Sequence, residues 1–311
     1  MEKQSKNNGC YNNLISQVNS LFDSTRHTVG IKSRYKYLEN EKAFCSFLAD
    51  KYHLQKLANV KSSHIISYTE HLKSSGYSSS SIKTSLSAIR YFHNLTGSKN
   101  QLIGNDKLNI EPRAYKAIDR SWSNTEAHRC LSILKENNLK MYHIFNLAYH
   151  NGYRLEEVVR TKPAYLLEAI NTTGQVWCKG KNGKVRYITI RTPEQEASIK
   201  EALQYAQELG KGNNDFIFCD NIKGSTAKCK RSVQNYLTAN QHKWIEPDRV
   251  LIRDTAKIKS STLCFHGIRY LYCNNLYNEI LKETGDKRYS RLYCSQQLGH
   301  QREYCVTTYL K

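Results

Sequence analysis

From Ile31 to Gly97 the apolar residues recur at every third or fourth position, and that period leaves room for little except packed helices. In IKSRYKYLENEKAFCSFLADKY, Tyr37, Phe44 and Leu48 fall at helical spacing, with the cations Lys32, Arg34 and Lys36 ahead of them. SSHIISYTEHLKSSG aligns Ile65, Tyr68 and Leu72. SSSSIKTSLSAIRYFHNLTG aligns Ile82, Leu86, Ile89 and Phe92, and stops at Gly97. The serine run at 78–81 reads as a cap rather than a linker, because a hydroxyl there accepts an unsatisfied N–H of the first turn. The first 28 residues are polar, with a short apolar segment at Leu14, Val18 and Leu21. Residues 1–104 are therefore expected to form an all-helical bundle.

The periodicity is lost over residues 97–121, where Gly104, Asn105 and Pro112 lie. A linker is expected at 105–121 and a second domain at 122–311, mixing helix and strand. Ser123 or Asn124 caps a helix carrying Ala127, Leu131 and Leu134, and another runs from about Met141 to His150. In QVWCKGKNGKVRYITI, Asn182-Gly183 sits between two β-rich runs, which predicts a hairpin with a type I′ turn. Pro193 opens a helix that ends at Gly210, and Phe216, Ile217 and Phe218 read as a short strand. Helices follow near 225–240, 266–284 and 287–297. The fold class expected is mainly α with a small β-sheet: a helical bundle followed by a mixed α/β domain.

The charge balance points to a partner. The chain carries a formal net charge of +20. Fourteen Lys/Arg stand against six Asp/Glu in residues 1–104, and thirty-three against twenty-one in the remainder. An excess spread over both halves suits a protein that wraps a long polyanion. No run of eighteen apolar residues exists and MEKQSKNNGC lacks an apolar signal core, so the chain is expected in the cytoplasm, nucleoid-associated and without a membrane role. The ten cysteines form no C-x-x-C pair, which argues for thiols over zinc.

The polar residues with chemical interest are scattered. NGYRLEEV (151–158) sets Arg154 two residues after a glycine, with Glu157 about one helical turn on. GKNGKVRYI (180–188) puts Lys181 and Lys184 on either side of the turn. FHGIRYLY (265–272) projects His266 and Arg269 from one helix face. LGHQREYCVTTYLK places His300 nine residues before Tyr309. Singly, each is ordinary: Arg154 reads as well as a surface ion pair, His266 as a satisfied helix histidine, Lys181 as a solvated cation. Their order and spacing carry the signal.

In that order the chain resembles the tyrosine recombinase/integrase family over nearly its whole length. The bundle is similar to that family's core-binding domain, and residues from about 120 to its catalytic domain. NGYRLEEV resembles T-G-L-R-x-x-E-L, GKNGKVRYI resembles G-K-G-x-K-x-R, and FHGIRYLY resembles H-x-L-R-H with Tyr270 in place of the second histidine. LGHQREYCVTTY resembles L-G-H followed by the nucleophile. Three departures stand out. The stretch from Arg269 to His300 is long, implying an insertion near 282–293. Tyr304 is a rival nucleophile. Leu310 and Lys311 alone follow Tyr309 where most members continue with a helix that docks on a neighbouring subunit, so the chain is either truncated or coupled differently. With about 28 residues ahead of the bundle, a separate arm-binding domain is not expected.

The resemblance implies a site-specific DNA recombinase that cuts and rejoins double-stranded DNA through a 3′-phosphotyrosine, as a homotetramer on paired sites. Arg154 and Arg269 would grip the phosphate, since guanidinium forks donate paired hydrogen bonds to its oxygens. Tyr309 would attack, His266 would take its proton, Lys181 would protonate the leaving 5′ oxygen, and His300 would bond a non-bridging oxygen. Glu157 would orient the cationic cluster. No cofactor, metal or ATP is implied. Lys32, Arg34, Lys36, Lys83 and Arg90 are candidate DNA contacts of the bundle, against the alternative of a solvated face. Two other functions remain: type IB topoisomerase-like relaxation, and a DNA-binding regulator without catalysis.

Overall fold

The computed structural model describes residues 8–25, 30–112, 120–180, 183, 185–247, 249–253, 256–259, 262–300, 306–307 and 309–310. The chain divides into two compact units, Met1–Ala114 and Tyr115–Lys311.

The first unit is a helical bundle of α1 (Asn8–Ser24), α2 (Ile31–Tyr52), α3 (Ser62–Ser74) and α4 (Ser79–Leu95). Its core takes Leu14 and Val18 from α1, Phe44 and Leu48 from α2, Ile65, Tyr68 and Leu72 from α3, and Ile82, Leu86, Ile89 and Phe92 from α4. These are the residues that the helical period aligns. Leu14 and Val18, with partly buried Leu21, bring α1 against the core. Ser78 caps α4, its hydroxyl accepting the Ser81 N–H at 3.3 Å.

The second unit is built from α5 (Asn124–Asn137), α6 (Leu139–Asn151), the single turn α7 (Leu155–Val158), α8 (Pro163–Glu168), strands β1 (Gln175–Lys179) and β2 (Val185–Thr189), α9 (Pro193–Glu208), α10 (Ser225–Asn240), strands β3 (Val250–Arg253) and β4 (Ala256–Lys259), α11 (Phe265–Thr284) and α12 (Lys287–Gln297). Ser123 caps α5 in a box with Glu126: the Ser123 hydroxyl accepts the Glu126 N–H at 3.0 Å and the Glu126 carboxylate accepts the Ser123 N–H at 2.9 Å. The main core gathers Trp122, Phe145, Leu147, Val158, Val176, Ile188, Ile199, Trp244 and Ile268. A second apolar cluster, with Tyr272, Cys273, Leu276, Cys294, Leu298 and Tyr309, fills the seam between α11 and α12.

Several local expectations need correction. The hairpin forms, with pairing described as far as Lys179↔Val185, and the type I′ turn expected at Asn182-Gly183 involves Asn182, which lies outside the described residues. Phe216–Phe218 is not a strand. Its backbone donors go elsewhere: the Phe216 N–H to Asn221 Oδ1 at 2.9 Å, and the Ile217 N–H to the isolated carbonyl of Thr161 at 3.1 Å. The antiparallel pair β3–β4 has no foreseen counterpart. The stretch near 282–293, where the spacing implies an insertion, folds as regular helix: α11 runs on to Thr284, Gly285 turns at φ 69°, and Asp286 caps α12.

Candidate active site

Arg154 owes its place to Gly152. That glycine ends α6 at φ 62°, and a Cβ on it would lie 2.3 Å from the Tyr272 ring, so the chain turns sharply there without a side chain. Arg154 then caps α7. Its N–H donates to Glu157 Oε2 and its Nη1 to Glu157 Oε1, both at 2.7 Å.

Arg269 and His266 project from the first turns of α11. That helix starts against Trp122, whose indole N–H donates to the Cys264 carbonyl at 2.9 Å. Gly267 permits this approach, since a Cβ there would meet the indole at 2.7 Å. Arg269 is 0% exposed. Its Nη1 donates to the Gly152 carbonyl at 2.6 Å and lies 3.8 Å from Glu157 Oε2, while its Nη2 donates to the Leu298 carbonyl.

The LGH triplet closes α12. The Gly299 N–H returns to the Gln296 carbonyl and the His300 N–H to the Ser295 carbonyl, both at 2.8 Å, with Gly299 at φ 65°. This is a Schellman turn, and it fixes the His300 backbone. The Leu298 carbonyl is left outside the helix ladder. Arg154 Nη2 donates to it at 3.2 Å, and Arg269 donates to the same oxygen. Two arginines far apart in the chain thus converge on one carbonyl and one carboxylate.

Tyr309 lies over this cluster, 9% exposed. Its hydroxyl stands 3.4 Å from His266 Nε2, a long contact of the kind that tightens when substrate binds. Its ring centroid is 4.4 Å from Tyr270, 5.6 Å from His300 and 5.8 Å from His266.

The electrostatics follow from the crowding of cations. Burial alone would raise the Glu157 carboxyl, but Arg186, then Arg269 and Arg154, overcome it and hold the group at about 2. Burial and the neighbouring guanidinium groups push Arg269 down to about 9, which leaves it cationic at neutral pH. Burial, then Arg269 and Arg154, lower both His266 and His300 to about 4, so both rings are neutral at pH 7. His266 keeps one side open to solvent, which makes the adjacent cations the firmer of its two causes. One carboxylate facing three guanidinium groups leaves a surplus of positive charge. Arg269 Nε and His300 Nε2 are buried with no hydrogen-bond partner among the described residues. Buried polar atoms are rarely left so, and here an anion can supply the missing acceptor for the guanidinium.

Six of the sequence candidates therefore meet: Arg154, Glu157, His266, Arg269, His300 and Tyr309. Lys181 and the rival Tyr304 lie outside the described residues. In the bundle, Lys32 and Lys36 are exposed, Lys36 pairing with Glu39 at 3.2 Å, and half-buried Lys83 donates to the Glu111 carbonyl at 2.7 Å. Two candidates need correction. Arg34 turns inward, its guanidinium 3.9 Å over the Phe22 ring and bonded to the Phe22 carbonyl. Arg90 binds the Ile103 carbonyl through Nε at 3.1 Å and Nη2 at 2.6 Å, and Asn105 through Nη1 at 2.9 Å. The Arg34 guanidinium is directed into the bundle, and half-buried Arg90 is tied to the segment that follows α4.

Sequence reasoning set Arg186 at the last position of the G-K-G-x-K-x-R resemblance but gave it no role. It lies on β2 between the exposed Val185 and Tyr187, on the face that carries buried Ile188. An arginine at an inward strand position was the available signal, since a buried cation demands partners.

Residues 31–97 match the family "Phage integrase, N-terminal SAM-like domain". No curated protein matches the chain in sequence. Solved structures do match in fold. A lambda integrase (75–356) dimer bound to a COC′ core site superposes with a TM-score of 0.64 at 15% identity, over 94% of each chain. The Tn1549 transposon integrase with circular intermediate DNA gives 0.56 at 13% identity, over 94% of this chain and 95% of that one. The XerH site-specific recombinase bound to difH gives 0.58 at 19% identity, over 99% and 87%.

Proposed function

We propose, for a chain that is of the tyrosine recombinase/integrase type by its fold and its N-terminal domain, that it is a site-specific DNA recombinase working through a 3′-phosphotyrosine. The observation that carries the reading is the convergence of Arg154 and Arg269 on the Leu298 carbonyl and Glu157, with the Tyr309 hydroxyl beside His266. A phosphodiester brings what the cluster lacks, a negative charge and acceptor oxygens.

In this mechanism the Tyr309 oxygen attacks phosphorus and the bond to the 5′ oxygen breaks. His266, neutral at pH 7, accepts the phenolic proton, and Lys181 on the hairpin returns a proton to the leaving oxygen. The arginines stabilise charge growing on the non-bridging oxygens, and His300 bonds one of them. The ester stores the energy for rejoining, so ATP is not consumed. Reversal on a partner strand gives recombination, with four protomers on two paired sites in the nucleoid. Lys32, Lys36 and Lys83 add phosphate contacts from the bundle.

A nicked duplex that traps the intermediate tests this. The protein is expected to form a covalent DNA adduct in the presence of EDTA, lost in Tyr309→Phe and kept in Tyr304→Phe. DNA binding without an adduct would make the chain a binding protein, and relaxation of plasmids without site preference would make it a topoisomerase.

A further inference from the structure

Arg186 makes four hydrogen bonds to three partners. Nε donates to Glu157 Oε1 at 3.1 Å, Nη2 to Glu157 Oε2 at 2.7 Å and to the Gly152 carbonyl at 3.0 Å, and Nη1 to the Gln297 carbonyl. These bonds reach α7, the turn after α6 and the end of α12 from a single strand residue that is 6% exposed. Gln297 answers with its side chain: Oε1 accepts the Thr189 N–H at 2.9 Å, and Nε2 donates to Thr189 Oγ1 at 3.0 Å. The stem of Arg186 also lies under the LGH turn. A Cβ on Gly299 would sit 2.7 Å from Arg186 Cδ and 3.0 Å from its Cβ. A buried ion pair is a poor source of stability against an apolar replacement, so four directed bonds from one guanidinium are better accounted for by the geometry they impose.

Resting on the reading of the site as a phosphodiester-cleaving centre, we propose that Arg186 and Gln297 form a latch that clamps the β1–β2 hairpin to the end of α12 and so positions the Leu298 carbonyl, His300 and Glu157. Arg186 acts through these groups, which makes it a positioning residue. The hairpin whose connection carries Lys181 is thereby fixed at its base to the turn that carries His300.

The test is adduct formation on the nicked duplex by Arg186→Lys, Arg186→Gln and Gln297→Ala, each with DNA affinity and thermal unfolding measured. Displacing catalytic groups by about 1 Å costs about 10²-fold in rate. Both Arg186 variants are expected to slow cleavage on that order at unchanged DNA affinity. Arg186→Lys keeps the charge and loses the fork, so it is slow at every pH. Arg186→Gln also moves the acid limb of the rate upward, because Glu157 then faces Arg154 and Arg269 alone, and His300 faces Arg154, Arg269 and His266. A merely structural role would lower the melting temperature and leave the rate per folded molecule and its pH profile unmoved, which overturns the latch.

Should the Arg186 variants fail to fold, Gln297→Ala decides. Slower cleavage at unchanged affinity upholds the latch, and a wild-type rate overturns it. Amide hydrogen exchange at Thr189 and His300 reads the latch without chemistry: faster exchange in Gln297→Ala supports it, and unchanged exchange contradicts it. If the wild-type chain forms no adduct but the exchange responds, the recombinase reading fails and the latch stands.

Discussion

Glu157 and the two histidines are held away from their ordinary titration ranges by the surrounding guanidinium groups and by burial, which makes the site sensitive to acid in a defined direction. His266 and His300 titrate near 4 in the folded chain and near 6.5 when unfolded. The unfolded chain therefore takes up protons first as pH falls, and stability should decline from about pH 6.5 towards 4. Glu157, at about 2 against 4.5, continues the decline below about 4.5. Thermal unfolding across this range checks the sign, and a melting temperature that rises on acidification contradicts the electrostatics drawn here. Cleavage should fall in the same direction, because a protonated His266 no longer accepts the Tyr309 proton. At this scale the sequence displayed residue types and spacing but not direction. Arg34 and Arg90 look like surface cations in a helical wheel, and the carbonyls that hold them are ones that no local pattern reveals.

The element that matters most is the end of α12. Its Schellman turn exposes one carbonyl to two arginines and holds the His300 backbone. Gly299→Ala puts a side chain into the left-handed region, at a cost of roughly 1–2 kcal/mol, and adds a collision with the Arg186 stem. The expected result is a loss of at least about 1–2 kcal/mol in denaturant unfolding, and slower adduct formation beyond that from the displaced His300. Wild-type stability in this variant would mean that the turn is not needed. Helices were legible where amphipathic period and capping agreed, as at Ser78, Ser123 and Pro193. The Phe216–Phe218 segment was not, because its hydrogen bonds go to a side chain and an isolated carbonyl. β3 and β4, four residues each, present too short a pattern to stand out.

At the scale of the whole chain, charge and fold point the same way. The excess of +20 is shared between both parts of the sequence, and among the described residues no helix is long and apolar enough to cross a membrane. Affinity for a duplex should then be dominated by phosphate contacts, each neutralised phosphate steepening the log–log dependence on salt by about 0.9. Fluorescence anisotropy over a salt series is expected to give a slope of several units, and a flat series contradicts a phosphate-dominated interface. Order and spacing made the site legible across the chain, since Arg154, His266, Arg269, His300 and Tyr309 come from segments that only folding brings together. The most direct measurement is a structure of the Tyr309→Phe protein on its DNA. The account predicts Arg154 and Arg269 within about 3 Å of non-bridging oxygens of one phosphate, with the edge of the substituted phenyl ring facing that phosphorus. Two arginines bound to different phosphates, or a phosphate-free cluster beneath a bound duplex, would contradict it.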